Sequence, residues 1–278
     1  MGYWLNYKVL VVLLSLPILL GISVKENISH KKWGFYGHKR INRVAVFTLP
    51  PEMFGFYKEH IEYLTEHAVD PDKRRYAVDG EAQRHYIDLD HYYKPGEDPF
   101  SVMPKYWKDA VEKFTEDTLQ AYGIVPWHIV VMKQKLQKAF ETKNVDLILK
   151  YSADIGHYIG DAHVPLHTTE NYNGQLSGQR GIHGLWESRL VEINAENYDY
   201  FVGKSAYVRN VLDFAWEAVE GSHRALDSVL RIEKELTAEF PSDRKYSFEQ
   251  RGNITISTYS FEFSQEYHRR MNGMVERR

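Results

Sequence analysis

Residues 145–167 read VDLILKYSADIGHYIGDAHVPLH, and the reading of this stretch decides the fold. Helical periodicity from Val145 to Gly160 predicts a helix there. His157 and Asp161 lie four apart, so they project from one face, one turn above each other. A second pair, His183 and Glu187 in His-Gly-Leu-Trp-Glu, repeats the spacing, and His167 stands between the two pairs. Imidazoles and carboxylates converging in this way suit a borderline-soft ion such as zinc. Residues 171–181 carry three glycines and no long apolar run, so they read as a loop that lets the two pairs fold back towards each other.

Outward from that stretch the chain reads as helix after helix. His38 to Phe47 is apolar at helical period, Thr48 to Pro51 marks a break, and Glu52 to His67 resumes the pattern. Asp70 to Tyr93 is polar and irregular, with Asp70-Pro71-Asp72 as a turn signal. Helical patterns cover Tyr106 to Tyr122 and Pro126 to Phe140, a further helix starts near His183, and others span Val208 to Leu236 and Tyr259 to Met274. Neither strand alternation nor an internal repeat is read. The expectation is an all-α protein, with one helical domain over residues 33–278.

A chain of 278 residues can bury a sizeable core, and a net charge of -3 does not call for a polyanionic partner. Cysteine is absent, which excludes disulfides, thiolate metal sites and cysteine nucleophiles. Any metal is therefore held by nitrogen and oxygen, for which 13 histidines give ample supply. At the start, Lys8 precedes an apolar run from Val9 to Ile22, shorter than a comfortable membrane span and of the length of a signal-peptide core. Residues 1–23 are expected to be a signal peptide cut after Ser23, with 24–32 a short segment before the domain, and the protein exported to the periplasm or outside. An uncleaved membrane anchor is the alternative reading of the same run.

His38, Asp70 and His85 complete the candidate ligand list of His157, Asp161, His167, His183 and Glu187. Singly, each is more often a hydrogen-bonded core histidine or a helix-surface carboxylate. Together they form a metal-site pattern. Trp-Gly-Phe-Tyr-Gly-His at 33–38 resembles the start of the mature enzymes of the superfamily that unites bacterial zinc-dependent phospholipase C with fungal single-strand-specific nucleases. The similarity continues in order through Asp70, His85 in Arg-His-Tyr-Ile-Asp, the 157–167 run, and His183 with Glu187.

That resemblance implies an all-α zinc phosphodiesterase with three zinc ions. Asp70, His85, His157 and Asp161 would hold the first, and His167, His183 and Glu187 the second, with room for water. Trp33, His38 and the far side of Asp161 would hold the third. A zinc-bound hydroxide would attack phosphorus, and Asp70 would orient or deprotonate it as a catalytic residue. The third site needs the Trp33 amine, so the mature enzyme is expected to begin at Trp33. The closing pair Glu187-Ser188 is like the phospholipase branch, where the fungal nucleases typically have Asp-Asn, and inclines the reading to a phospholipid substrate. Single-stranded DNA or RNA is the alternative substrate, and a non-catalytic zinc-binding helical protein is the reading from another class. Lys73-Arg74-Arg75 would serve an anionic membrane surface or a nucleic-acid backbone equally.

Overall fold

Helices make up most of the chain. Four come first, α1 (Phe35–Thr48), α2 (Pro51–Glu59), α3 (Ile61–His67) and the short α4 (Asp70–Arg74). After an irregular stretch with two 3-10 turns come α5 (Pro99–Val102), α6 (Trp107–Phe114), α7 (Glu116–Tyr122), α8 (Val125–Glu141) and α9 (Val145–Ala162). The next helical segment is α10 (Ile182–Gly184), a π-helical turn (Leu185–Arg189) and α11 (Leu190–Asn194) in unbroken succession. The long α12 (Val211–Glu239), a hairpin of β1 (Tyr246–Arg251) and β2 (Ile254–Tyr259), α13 (Phe261–Arg270) and α14 (Met274–Arg277) complete the chain. This computed structural model describes residues 34–251 and 253–278. The expected signal peptide, the 24–32 segment and Trp33 lie outside the described residues. Among those described, no helix is long and apolar enough to cross a membrane. The fold is all-α apart from the hairpin.

The hairpin corrects the strand-free expectation. Its two strands pair antiparallel, Tyr246 with Tyr259 and Arg251 with Ile254, so residues directly opposite share a face. The sequence carries a short signal: Ile254-Thr-Ile-Ser257 alternates and follows Gly252-Asn253, before Ser257-Thr258 breaks the period. The pattern 106–122 also divides, because Thr115 takes a positive φ of 69° and begins α7 afresh. Its hydroxyl accepts from the Thr118 N–H, a side-chain cap that satisfies one of the unpaired amides of a helix start.

Two of the apolar clusters flank the centre of the molecule. One gathers Ile87, Leu89, Leu119, Ile129, Tyr158 and Val219, and the other Leu166, Ile182, Leu185, Leu190, Val229 and Phe263, all essentially solvent-free. Removal from water of each such side chain contributes about 1.5–3 kcal/mol. Helix α9 packs against α8, α3, α1 and α12, and touches α4, so it is enclosed by helices on its several faces.

Its contact with α1 depends on small residues. Ala153, Gly156 and Gly160 lie one turn apart or less on α9, and α1 packs against them. A Cβ on Gly156 would lie 2.0 Å from Asn42 Oδ1, and one on Gly160 3.1 Å from His38 Nδ1. Asn42 Nδ2 donates to the Ala153 carbonyl at 3.0 Å, which secures the close approach. The glycines thus bring His38 into the interior, where it is 4 % exposed. Gly156→Ala should destabilise the protein by about 1–3 kcal/mol, the cost of overpacking, despite its better helix propensity. A urea midpoint equal to or above the parent's would contradict this packing.

Candidate metal centre

Asp161 stands at the middle of the site. It is 1 % exposed and presents each carboxylate oxygen to two imidazoles. Oδ2 lies 2.9 Å from His85 Nδ1 and 3.2 Å from His157 Nε2, while Oδ1 lies 3.3 Å from His167 Nδ1 and 3.5 Å from His38 Nε2. Four separate parts of the chain supply these rings. His157 comes from α9 itself, one turn before Asp161, and His38 from α1 across the glycine face. His85 follows the 3-10 turn Ala82–Arg84, and His167 sits in the 3-10 turn Pro165–Thr168 that the Val-Pro break after α9 creates.

A second carboxylate joins His85 and His157. Asp72 Oδ1 lies 3.7 Å from His85 Nδ1 and 3.7 Å from His157 Nε2. The His157 Nδ1–H donates to the Ala68 carbonyl at 2.8 Å, which leaves Nε2 with its lone pair turned towards the carboxylates. His85, His157 and Asp161 thus converge within 4.8 Å of one another, and Asp72 converges with His157 and His38. On the other side, His183 Nε2 lies 2.7 Å from Glu187 Oε2, and Glu187 Oε1 lies 3.6 Å from His167 Nε2 and 3.7 Å from His38 Nε2. Glu187 sits on the π-helical turn, and widened turns of this kind recur where a helix must aim a functional side chain. The described chain starts beside it: the buried Gly34 N–H donates to the Ser188 hydroxyl.

The electrostatics match a cation-binding cluster. Burial alone would neutralise Asp161, yet the imidazoles of His157, His167 and His85 outweigh that and hold its carboxyl well below the usual range. Glu187 is likewise held down against burial by His183, His38 and His167. Burial also opposes charge on His38, but the nearby Glu187 carboxylate and the charges of Asp161 and Asp72 lift it to about 9. His167 goes the other way, lowered to about 4 chiefly by burial. Four buried imidazole nitrogens, His38 Nδ1, His85 Nε2, His167 Nδ1 and His183 Nδ1, have no hydrogen-bond partner. Of these only His167 Nδ1 faces a cluster carboxylate, and it is the convergence of imidazoles and carboxylates, nitrogen and oxygen donors, that suits the site to divalent zinc.

The structure brings His38, His85, His157, Asp161, His167, His183 and Glu187 together, and it leaves one expected member apart. Asp70 is turned away: its oxygens take His67 Nδ1 at 2.6 Å and Lys73 Nζ at 2.8 Å at the surface, and Asp72 faces the imidazoles instead. Asp70, expected as ligand and catalytic group, thus stands apart from the imidazoles, and Asp72 stands beside them. Both lie on the five-residue α4, and the Arg74 guanidinium on that helix sets which one points inward. Arg74 donates to both Asp154 oxygens at 3.1 Å and to Tyr158 Oη at 3.0 Å, pinning α4 onto α9. Its Nε lies 3.1 Å from the buried Glu81, and this half-buried pair is closed by further hydrogen bonds. Arg74, Glu81 and Tyr158 gave no motif signal, because each is an ordinary residue until the fold joins them. Asp154 does sit one turn before His157, where it contacts Arg74 and no ligand imidazole.

A cleft of about 800 Å³ opens beside this centre. His167 and His183 lie on its wall, with Arg75, Tyr86, Asp88 and Tyr172 around them. A family model described as S1/P1 nuclease matches residues 33–198. The chain belongs to the S1/P1 nuclease family. The match covers every residue of the cluster, and membership makes this S1/P1-family protein a zinc-dependent hydrolase of phosphoric ester bonds. No curated protein matches it closely enough to be named as a relative.

The Asp70–Asp72 distinction is directly testable in this S1/P1-family enzyme. Asp72→Asn should weaken zinc binding at least about 10–100-fold, the range seen when even outer partners of a metal site are lost, whereas Asp70→Asn should stay near the parent. Competition against a chromogenic chelator measures both, and the reverse order would reinstate Asp70. Proton release gives a second check. His38, lifted to about 9, is protonated at pH 7 and must give up that proton to become a ligand. Zinc titrations at pH 7 in buffers of differing ionisation enthalpy should therefore show net proton release. His38→Gln should reduce it, and equal release from both proteins would contradict the assignment.

Proposed function

We propose that this protein is an exported nuclease that hydrolyses phosphodiester bonds in single-stranded nucleic acid with three zinc ions. Asp72, His85, His157 and Asp161 would hold one ion, and His167, His183 and Glu187 a second. His38 and the far oxygen of Asp161 would hold the third, with the main chain of Trp33 when that residue begins the mature protein. Bound zinc supplies a strongly acidified water and positive charge for the phosphoryl oxygens. The chain's own residues do the rest. Asp161 bridges the ligand sets, and the Ala68 carbonyl and the Arg74 network hold His157 and Asp72 in place.

The observation that carries the substrate is the lining of the cleft. Tyr86, Tyr172 and Tyr76 offer aromatic faces beside His167 and His183, and Arg75 adds a cation for the backbone. Aromatic platforms with basic groups suit unpaired bases, whose faces a duplex hides. A lipid-directed enzyme needs an apolar lip, and this lining is interrupted by Asp88, Glu170, Asn173 and Gln175. The inclination to phospholipid drawn from Glu187-Ser188 gains no support from the cleft, and the family favours the nuclease. The apolar run Val9–Ile22 supports export.

Asp88 adds a pH signature. Burial first, then the nearby charges of Asp90 and Glu170, push its carboxyl up to about 7. Below that pH it is a neutral donor for a base acceptor, and above it an anion facing a polyanion. KM for single strands should therefore rise as pH passes 7, and Asp88→Asn, neutral throughout, should flatten the rise. A parallel rise in the variant would remove Asp88 from substrate binding.

The reading as a whole is tested by zinc-loaded protein beginning at Trp33, offered single-stranded DNA, duplex DNA and phosphatidylcholine vesicles with and without chelator. Chelator-sensitive cleavage with single strands preferred is expected. Cleavage of the vesicles alone would overturn the proposal in favour of a phospholipase.

A further inference from the structure

The hairpin is a wall of the cleft, and it lies outside the residues that the family model matches. Ile256 and Ser257 on β2 line the cleft together with His167 and His183. The register sets Phe248 directly opposite Ser257, so its ring stands beside the cleft on the face of Ser257, while Ile256 lies on the other face with Glu249. That ring is 78 % exposed. Towards the turn the face is polar, with Gln250 and Thr255 opposite each other and the Thr255 hydroxyl donating to the Gln250 side chain at 2.8 Å, and towards the base it carries Tyr246 and Tyr259.

The hairpin is tied to the element that carries Glu187. Glu249 lies 3.0 Å from Arg189 Nη1, and Arg189 ends the π-helical turn that carries Glu187. At its base, the Tyr259 hydroxyl donates to the buried Glu233 at 3.0 Å, and Lys245 Nζ lies 2.9 Å from the same carboxylate. An aromatic ring on a hairpin anchored at its base and beside the cleft is placed to serve as a stacking platform.

Resting on the nuclease reading, we propose that the hairpin is a strand-binding arm, with Phe248 stacking a base that flanks the nucleotide held in the cleft. A membrane surface is the competing occupant for exposed apolar residues, and the register disfavours it. The two most exposed apolar residues of the hairpin, Phe248 and Ile254, fall on opposite faces, since Ile254 pairs with Arg251. They form no contiguous apolar patch for insertion. On its own face the exposed ring of Phe248 has aromatic Tyr246 as its neighbour towards the hairpin base, and aromatic faces are what base stacking uses.

The test compares a single-stranded octamer with a dinucleotide on zinc-loaded enzyme, and adds binding of a fluorescent octamer in chelator. In Phe248→Ala, the octamer-to-dinucleotide ratio of kcat/KM should fall about tenfold, within the range of a lost base–aromatic stack, and octamer binding should weaken alongside. Phe248→Trp should restore both, and Phe248→Leu should not. An unchanged ratio, or Leu restoring as well as Trp, would overturn the arm. So would Phe248-dependent binding to phosphatidylcholine vesicles with oligonucleotide binding intact. If the parent enzyme cleaves no oligonucleotide, the nuclease reading fails, while the binding measurement still decides the role of Phe248.

Discussion

Asp161 shares its two oxygens among four imidazoles in a space that water barely reaches, and the rest of the architecture is arranged to make that possible. An isolated carboxylate buried this far would cost several kcal/mol and would neutralise instead of staying charged. His85 and His157 on one oxygen, with His38 and His167 on the other, keep it ionised. The same arrangement divides the ligands into two sets that meet at one carboxylate, which is the requirement for metal ions to act jointly on one phosphoryl group.

That requirement reaches outward into the fold. The glycine face of α9 exists because α1 must come close enough for His38 to touch Asp161. The Arg74–Asp154–Glu81–Tyr158 network exists because α4, with five residues, cannot hold Asp72 in place by its own stability. The π-helical turn aims Glu187 between His183 and His167, and the Arg189–Glu249 pair carries that constraint on to the hairpin. Each device joins a ligand to an element distant in sequence, so the site and the core are stabilised together.

Much of this was legible in the sequence. The four-residue spacings of His157 with Asp161 and His183 with Glu187 project onto helices, where periodicity alone fixes the shared face. The order of helices followed from the same periodicity, with ends displaced by a few residues where Thr115 or a proline imposed a break. Asp70 and Asp72 defeated it, because they flank Pro71 on one short turn and only the tertiary pairing of Arg74 decides which faces inward. The hairpin was passed over because its first strand, Tyr246-Ser-Phe-Glu-Gln-Arg251, loses alternation at its polar end. Its role at the cleft depends on contacts with residues 167–189, which no local pattern carries.

The most direct test of the central claim is anomalous diffraction at the zinc absorption edge from crystals of the zinc-loaded protein. The account predicts one peak bound by Asp161 Oδ2, His85 Nδ1, His157 Nε2 and Asp72 Oδ1, and another among His167, His183 and Glu187. Zinc found on the surface pair of His67 and Asp70, with no peak touching Asp161, would contradict it.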